Sequence, residues 1–409
     1  MAFAGVQINK LDGGLGGGEV SVRVAVLVAG VDTGSGHPEL NKAFELLQIE
    51  DAEALGITPE SDVANKALTH YHLSEVFRLS PETRVYLVVV DRTSKVSDLK
   101  NLAAFITALR SIPGVNTVGM VGLEDEAGND ISLAVQGAQL LVDGLAEDHV
   151  YIDAVLIQGR GAYLGNNIAT FPDLRALDCE NVSVIIGCDP GVAAPDPDYA
   201  DPVAVGSALG MLLVRSIHEN LGSVDIEAKP RSRKADKDYM LTDVKTGRWL
   251  SAGLSSGNSF ESLSASDQRR LDELGYIYAG GFSGYGGYFF SNSHTCTEEG
   301  SDYCFIERNA IWNRAARIIR ETLIPRIRSK VQADPATGYI KSTTITDWDG
   351  RVRKALEPMK SAGDVADFDI YIDPKQAAVS TRPFNVKVRL VADGVVHEFE
   401  IDLGFTKSI

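Results

Sequence analysis

The sequence predicts an α/β domain followed by an α+β domain, with extended strand arms at both termini. Short β-branched runs alternate with helical patterns from Val22 to about Asn220, which is typical of a largely parallel sheet with helices on both faces. Longer helical patterns and alternating strands follow Asp302, as expected for helices packed on a mixed sheet. The expected division is a strand arm and glycine-rich linker over 1–20, an α/β domain over 21–228, a basic linker over 229–240, a core domain over 241–380, and a hairpin arm over 381–409.

Composition excludes several classes of protein. A chain of 409 residues with 44% hydrophobic content has room for two or three domains with proper cores. Its net charge of −17 argues against nucleic-acid binding and against attraction to an anionic membrane. No apolar run approaches the ~20 residues of a membrane-spanning helix. The four cysteines form no CxxC pair, and we expect reduced thiols and no metal or cofactor.

The N-terminal arm combines a short alternating run with a flexible tether. Val6, Ile8 and Leu11 are the apolar residues of this run. A near-continuous glycine segment follows it, made of Gly13, Gly14, Gly16, Gly17 and Gly18. A strand on such a tether is suited to pairing with a sheet edge of another molecule, and the alternative is a frayed terminus without a role.

The first domain is predicted from five buried-type strands and the helices between them. Pro202 to Asn220 is read as its last helix, before a basic polar linker from Lys229 to Lys237. The strands are expected at Val22 to Ala29, Arg84 to Val90, Val115 to Val121, Ile152 to Gln158 and Val182 to Gly187, and the main helices at Ser61 to Phe77, Lys95 to Ser111 and Ser132 to Glu147.

The second domain begins with a short helix from Ser264 to Gly275, which has a serine cap and a terminal glycine. A long helix follows Asp302, and Pro325 should end or kink it. A further helix near Asp349 to Ser361 and a strand from Phe368 to Ile372 complete the predicted core.

The last segment reads as a β-hairpin around an Asp393-Gly394 turn. In that register Arg389 faces Glu398 and Lys387 faces Glu400 on the polar side. The apolar face should carry Phe384, Val386, Val388, Leu390, Phe399, Ile401 and Leu403, with His397 also on the buried side. A lone hairpin is marginally stable, so this face needs a cover from the same subunit or from a neighbour.

Two motifs suggest an enzyme as an alternative reading. The loop from Gly30 to Gly36 lies between a strand and a helix but matches neither phosphate-loop pattern. Ser255 occupies the serine of a GxSxG sequence without a convincing strand and helix around it. These motifs leave open a hydrolase or a nucleotide-binding protein. His294, Cys296 and Cys304 have no recognised zinc spacing.

One basic segment contrasts with the acidic chain. Between Glu307 and Lys330, seven basic residues and two acidic ones give a net charge of +5. The segment either binds an acidic partner or pairs internally with the chain's own carboxylates. The basic residues are Arg308, Arg314, Arg317, Arg320, Arg326, Arg328 and Lys330.

Several stretches of the sequence resemble the sheath proteins of contractile tails, most closely the branch in Mu-like phages and Bacteroidetes tail-like particles. The N-terminal residues Gly5 to Leu15 are also similar to the opening of that branch. In the C-terminal part the resemblance rests on Gly281 to Gly284, Tyr288 to Phe290, Thr295 to Thr297, Ser301 to Tyr303, Ile311 to Ala315 with Arg317 and Arg320, Asp334 to Gly338, and Tyr371 to Gln376.

The resemblance implies a non-enzymatic subunit that polymerises helically around an inner tube, exchanges terminal strands with its neighbours, and contracts to drive the tube through a target envelope. It implies assembly in the bacterial cytoplasm into a phage tail or tail-like particle. The implied partners are other copies of the chain, the tube protein, and baseplate and terminator or cap proteins, with no nucleic acid and no membrane insertion. Gly13 to Gly18 would act as the hinge linker. The tube-facing basic residues would be Arg314, Arg317, Arg320 and Arg328.

Overall fold

The computed structural model describes residues 23–32, 38–81, 83–165, 167–193, 202–224, 240–379, 383–397 and 401. The strands are β1 (Ala25–Val31), β2 (Ala43–Leu46), β3 (Val85–Asp91), β4 (Thr117–Val121), β5 (Ala154–Gln158), β6 (Val182–Ile185), β7 (Gly187–Cys188), β8 (Gly253–Leu254), β9 (Tyr276–Ile277), β10 (Ala279–Gly280), β11 (Phe289–Phe290), β12 (Asp367–Ile372) and β13 (Val386–Val391). The α-helices are α1 (Ile49–Ala54), α2 (Pro59–Asn65), α3 (Thr69–Leu79), α4 (Ala103–Ser111), α5 (Ile131–Glu147), α6 (Gly161–Leu164), α7 (Pro190–Ala193), α8 (Val205–Leu213), α9 (Ala265–Glu273), α10 (Ile306–Leu323) and α11 (Ser342–Ser361).

A seven-stranded sheet in the order β2-β3-β1-β4-β5-β6-β9 organises the first part of the chain. All neighbouring strands run parallel except β2, which pairs antiparallel with β3. The five strands predicted from β-branched runs are all present and almost completely buried. Each face of the sheet contributes to its own hydrophobic core, so the predicted parallel α/β arrangement is confirmed.

The helical segments are more broken than their sequence pattern predicts. The expected helix from Ser61 to Phe77 is two helices, because Lys66 ends α2 in the left-handed conformation with a φ of 49°. The carboxylate of Asp62 then accepts hydrogen bonds from the amides of His70 and Tyr71 at 3.0 Å, which caps the first turn of α3. Similarly, the Lys95 to Ser111 pattern forms a 3₁₀ helix, Val96–Asn101, before α4. Only Val205–Leu213 of the Pro202 to Asn220 pattern is α-helical.

The change from one core to the next lies later in the chain than the expected boundary at residue 241. Strand β9 extends the large sheet by pairing with β6, in the register Val184 to Tyr276. Trp249 and Phe290 are buried in the second core of the sheet and contact each other edge to face. Residues 241 to about 297 therefore pack with the α/β unit. The α+β unit begins near α10.

The α+β unit packs α10 and α11 against the antiparallel pair β12 and β13, around a third core. Helix α10 ends before Pro325, which lies in a short 3₁₀ turn, as expected. Helix α11 begins at Ser342, earlier than the expected Asp349, and continues through Pro358. Strand β12 matches the predicted strand within one residue.

The predicted terminal hairpin does not form in the described residues next to its turn. Strand β13 pairs with β12, which sets Arg389 opposite Asp369 and Lys387 opposite Tyr371. The predicted cross-strand partners Glu398 and Glu400 lie outside the described residues. Residues 392–397 and Ile401 form no strand, and Val396, His397 and Ile401 are exposed. The inward residues of β12 complete an apolar layer over α11. Phe399 and Leu403 lie outside the described residues.

Candidate assembly interface

The α+β unit ends in a sheet of only two strands within the described part of the chain. Each strand therefore has one edge without a strand neighbour there. Such an edge presents backbone N–H and C=O groups to any strand that approaches it. A two-stranded sheet can accept an added strand on either side, so this unit is suited to contacts between copies of the chain.

The inward faces of the two strands differ in burial. In β12 the inward residues Phe368, Ile370 and Ile372 are buried at 6–7% exposure. In β13 the apolar residues Val386, Val388 and Leu390 pack against the same core but are only half-buried. The incomplete burial of an otherwise well-formed apolar row indicates that the described residues cover the β13 side of the core only in part.

The partial cover that β13 does have comes from this subunit. Trp348 of α11 packs edge to face on Phe384, with their ring centroids 5.5 Å apart. Val352 and Leu356 are fully buried one and two turns further along the same helix. The apolar face of Phe384 to Leu390 was therefore predicted correctly, and helix α11 supplies its cover.

The basic helix does not present all of its arginines to solvent. Arg314 forms an ion pair with the buried carboxylate of Asp364, to which His218 is also bound at 3.1 Å. Arg317 lies 3.6 Å from the buried carboxylate of Asp153, on the α/β unit. The charges of Arg314 and Arg317 compensate buried carboxylates of the same chain, so these two residues are less suited to a tube contact than the exposed arginines of the segment.

Arg320 and Arg328 remain exposed and form no ion pair within the described residues. Arg326, between them in sequence, lies 3.9 Å from Asp347 of α11. The exposed apolar residues Ile324 and Ile327 flank these charges at the end of α10. The end of this helix thus carries a surface that is both basic and apolar.

Buried polar residues join the α/β and α+β units. Glu307, at the start of α10, accepts hydrogen bonds from Asn220 at 3.0 Å and from the Ser293 hydroxyl at 2.5 Å. Asn313 donates to Asp153 at 2.9 Å. Burial raises the pKa of Asp153 to about 6, although Arg317 and the buried Arg23 oppose the shift. Sequence reasoning missed this network. The signal that could have found it is polar residues, Glu307, Asn309 and Asn313, among the apolar positions of a long helix.

Sequence comparison adds to these observations. Two family models match the chain: the N-terminal domain of DUF2586 over residues 3–294 and its C-terminal domain over residues 302–409. The chain belongs to the DUF2586 family. The break between the two matches agrees with the passage from the α/β core to the third core. A search of curated proteins gives no match.

Solved structures similar to this DUF2586 protein come from contractile systems. A chain of the anti-feeding prophage baseplate matches with a TM-score of 0.60 and 13% identity, and the match covers 100% of both chains. The sheath complex of an extracellular contractile injection system (PVC), in the contracted state, matches with a TM-score of 0.59 and 14% identity over 100% of this chain and 98% of the other. A sheath tail protein of Desulfitobacterium hafniense matches with a TM-score of 0.50 and 9% identity over 95% and 100%. The expected likeness to sheath proteins is confirmed for the fold.

Ser255 and Gly30, from the two motifs that suggested an enzyme, have structural explanations in this DUF2586 fold, whereas Gly34 and Gly36 lie outside the described residues. The hydroxyl of Ser255 donates to the Gly159 carbonyl at 2.5 Å, and its amide donates to Ile186. No helix follows it, since Gly257 turns the chain with a φ of +88°. A Cβ atom at Gly30 would lie 2.2 Å from the Gly122 carbonyl oxygen, so this glycine allows close packing of β1 against the segment after β4.

The histidine and cysteine candidates do not assemble a site. His294 is buried and bound to Asp272 at 2.5 Å and to Arg175 at 3.2 Å. Among the residues that the structure describes, no three His, Cys, Asp or Glu side chains cluster as metal ligands. The same residues include no helix long and apolar enough to cross a bilayer.

The N-terminal arm residues Val6, Ile8 and Leu11 and the linker Gly13 to Gly18 lie outside the described residues.

Proposed function

We propose that this DUF2586 protein is the structural subunit of a contractile tail sheath. The observation that carries the proposal is a fold match over the full length of proteins from contractile particles, one of them a sheath in its contracted state. A match confined to the sheet would support only a common α/β architecture. Coverage of nearly every residue of both chains extends the likeness to the two-stranded α+β unit, where contacts between copies are expected.

Subunits would be joined by strand addition at the two-stranded sheet of β12 and β13. The run with Val6, Ile8 and Leu11 has the alternation required of an added strand. The half-buried Val386, Val388 and Leu390 leave apolar area that an added strand would cover. Residues beyond β13, including Phe399, Ile401 and Leu403, would form the second arm. Because a head-to-tail contact does not close on itself, such pairing builds a filament.

Contraction would need the subunits to turn while remaining connected. The glycines from Gly13 to Gly18 provide a tether able to absorb that rotation without loss of the strand contacts. The subunit performs no chemistry in this function, and the energy comes from repacking of a strained extended polymer. Tube, baseplate and terminator proteins would be its partners, and assembly would take place in the bacterial cytoplasm.

The exposed basic end of α10 supports a tube contact through Arg320 and Arg328. Their charge would complement an acidic tube surface and hold the extended state. Arg314 and Arg317 are not part of this surface.

The experiment is negative-stain microscopy of the purified protein and of a variant that lacks residues 1–18. The intact protein should form tubes or ragged polymers, and the shortened variant should remain as discrete particles of unchanged circular dichroism. A matched variant with the length of the linker kept and Gly13, Gly14 and Gly16 replaced by serine should still polymerise. Long cylinders from the shortened variant would contradict strand exchange, and discrete particles from the intact chain under all conditions would contradict the sheath function.

A further inference from the structure

Two of the four cysteines lie directly opposite each other in the fold. Cys179 precedes β6, and Cys296 lies shortly before α10. The two residues form an isolated antiparallel bridge, in which the Cys179 amide donates to the Cys296 carbonyl at 2.7 Å. The Cys296 amide donates in turn to Val182 at 2.8 Å, so backbone hydrogen bonds hold both residues in place.

The antiparallel bridge brings the two backbones into the range that a disulfide requires. Directly opposite residues of an antiparallel pair have side chains on the same face, with Cβ atoms about 4.5–5.5 Å apart. The Cα separation of such pairs, about 4.5–5.5 Å, lies within the range of known disulfides. Cys188 and Cys304 are also buried, and neither is bridged to another cysteine in the described residues.

We propose that Cys179 and Cys296 form a disulfide when the protein meets an oxidising environment. The oxidant is a low-molecular-weight disulfide such as glutathione disulfide. One cysteine thiolate attacks it, forms a mixed disulfide and releases one glutathione. The second thiolate attacks the protein sulfur of that mixed disulfide and releases the other glutathione. Two protein thiols are thereby oxidised to one disulfide, and glutathione disulfide is reduced to two thiols.

Burial makes this reaction slow in the folded protein. Both side chains are buried, and burial raises the pKa of Cys179 to about 11 and that of Cys296 well above its usual range. The thiolate that attacks is therefore scarce, and reaction requires local opening. The pair stays reduced in a reducing compartment and closes only on prolonged contact with an oxidant.

The crosslink would act within the core of the large sheet, near the start of the α+β unit. Both cysteines are buried in the same hydrophobic core, with Cys179 shortly before β6 and Cys296 in the segment that leads to α10. If the proposed sheath function holds, a particle released from a reducing cell would gain a covalent connection inside the α/β core, beside the segment that leads to the unit that binds its neighbours. Closing so long a loop restricts the unfolded chain and raises stability.

The test uses the full-length protein, equilibrated in glutathione redox buffers and then alkylated. Peptide mass spectrometry without reduction should find one linked pair, Cys179 with Cys296, and a reductant should remove it. The unfolding midpoint of the oxidised protein should rise by several degrees. Cys179→Ala and Cys296→Ala should each abolish that rise, whereas Cys188→Ala and Cys304→Ala should keep it.

Free thiols at both positions after full equilibration would overturn the proposal, and so would links to Cys188 or Cys304. The mass-spectrometric result on the unaltered chain decides the question even if a substitution prevents folding. Tube formation is measured separately by microscopy. Polymers without the linked peptide would reject the disulfide alone, and the linked peptide without polymers would reject the sheath function alone.

Discussion

Arg317 lies 3.6 Å from the buried carboxylate of Asp153, and this pair connects α10 to the large sheet. Asn313, one turn earlier on the same helix, donates to the same carboxylate at 2.9 Å. Asp153 immediately precedes β5, which lies between β4 and β6 in the large sheet. The helix that begins the α+β unit is thus bound to the first unit through charge as well as through packing.

The first prediction concerns removal of this cation. Arg317→Ala leaves Asp153 buried with one less compensating charge, so the free energy of unfolding should fall by about 2–4 kcal/mol. Urea denaturation at pH 7 measures this change in the free energy of unfolding. Arg320→Ala, on the exposed side of the same helix, is the matched control and should change stability by less than about 0.5 kcal/mol. Equal effects of the two substitutions would contradict the inward role of Arg317.

The second prediction uses the raised pKa of Asp153. Because the folded protein holds this carboxyl with a pKa of about 6, against its ordinary value of 3.8, it binds more protons than the unfolded chain between these pH values. Its contribution to stability is therefore largest at low pH and declines as pH rises toward and past 6. Burial raises the pKa of Asp153 by more than the positive charges of Arg317 and Arg23 lower it.

Asp153→Asn removes that titration. The stability of the variant minus that of the wild type should increase by up to about 3 kcal/mol between pH 4 and pH 7. Other buried groups with shifted pKa values, such as Asp62, are present in both proteins and cancel in the difference. Urea unfolding at pH 4, 5, 6 and 7 gives the two curves, and parallel curves would show that Asp153 ionises normally.

The α/β unit was predictable because its signals are local. Fully buried parallel strands favour continuous β-branched runs, and the sequences of β1, β3, β4, β5 and β6 contain such runs. The short antiparallel strand β2 contains no β-branched residue and was not predicted. Strand β9 has only two residues and no such signal, so its place at the sheet edge depends on the strands around it. The terminal hairpin failed for a related reason. The alternation of its first strand is real, but that strand pairs with Asp367–Ile372, and residues 392–397 form neither a turn nor a strand.

The site was predictable only in part. An alternating apolar run identifies Val386, Val388 and Leu390 as one face, and the structure agrees. A count of arginines cannot show which of them point inward, because Arg314 and Arg317 are paired with Asp364 and Asp153, both distant in sequence. The charge of a segment therefore indicates a basic surface only after its buried partners are known.

The third prediction concerns the cover of β13. Trp348 is mostly buried against Phe384, so Trp348→Ala should lower the free energy of unfolding of the α+β unit by about 3–5 kcal/mol. Trp312→Ala is the control, since about half of the Trp312 side chain is exposed. Hydrogen exchange should show faster exchange in residues 386–391 for Trp348→Ala and little change there for Trp312→Ala. The reverse order would indicate that β13 is held by another element.

The fourth prediction depends on the proposed tube contact. The double substitution Arg320→Glu and Arg328→Glu reverses two exposed charges on one surface. At low salt it should lower the fraction of protein that co-assembles with the purified tube by about tenfold or more. Added salt should weaken assembly of the wild type and narrow the gap between the two proteins, since exposed charges are screened. The control combines Lys245→Glu with Arg269→Glu, which makes the same change in net charge on exposed residues of the α/β unit. A control as defective as the test variant would show that total charge, and not the end of α10, governs assembly with the tube.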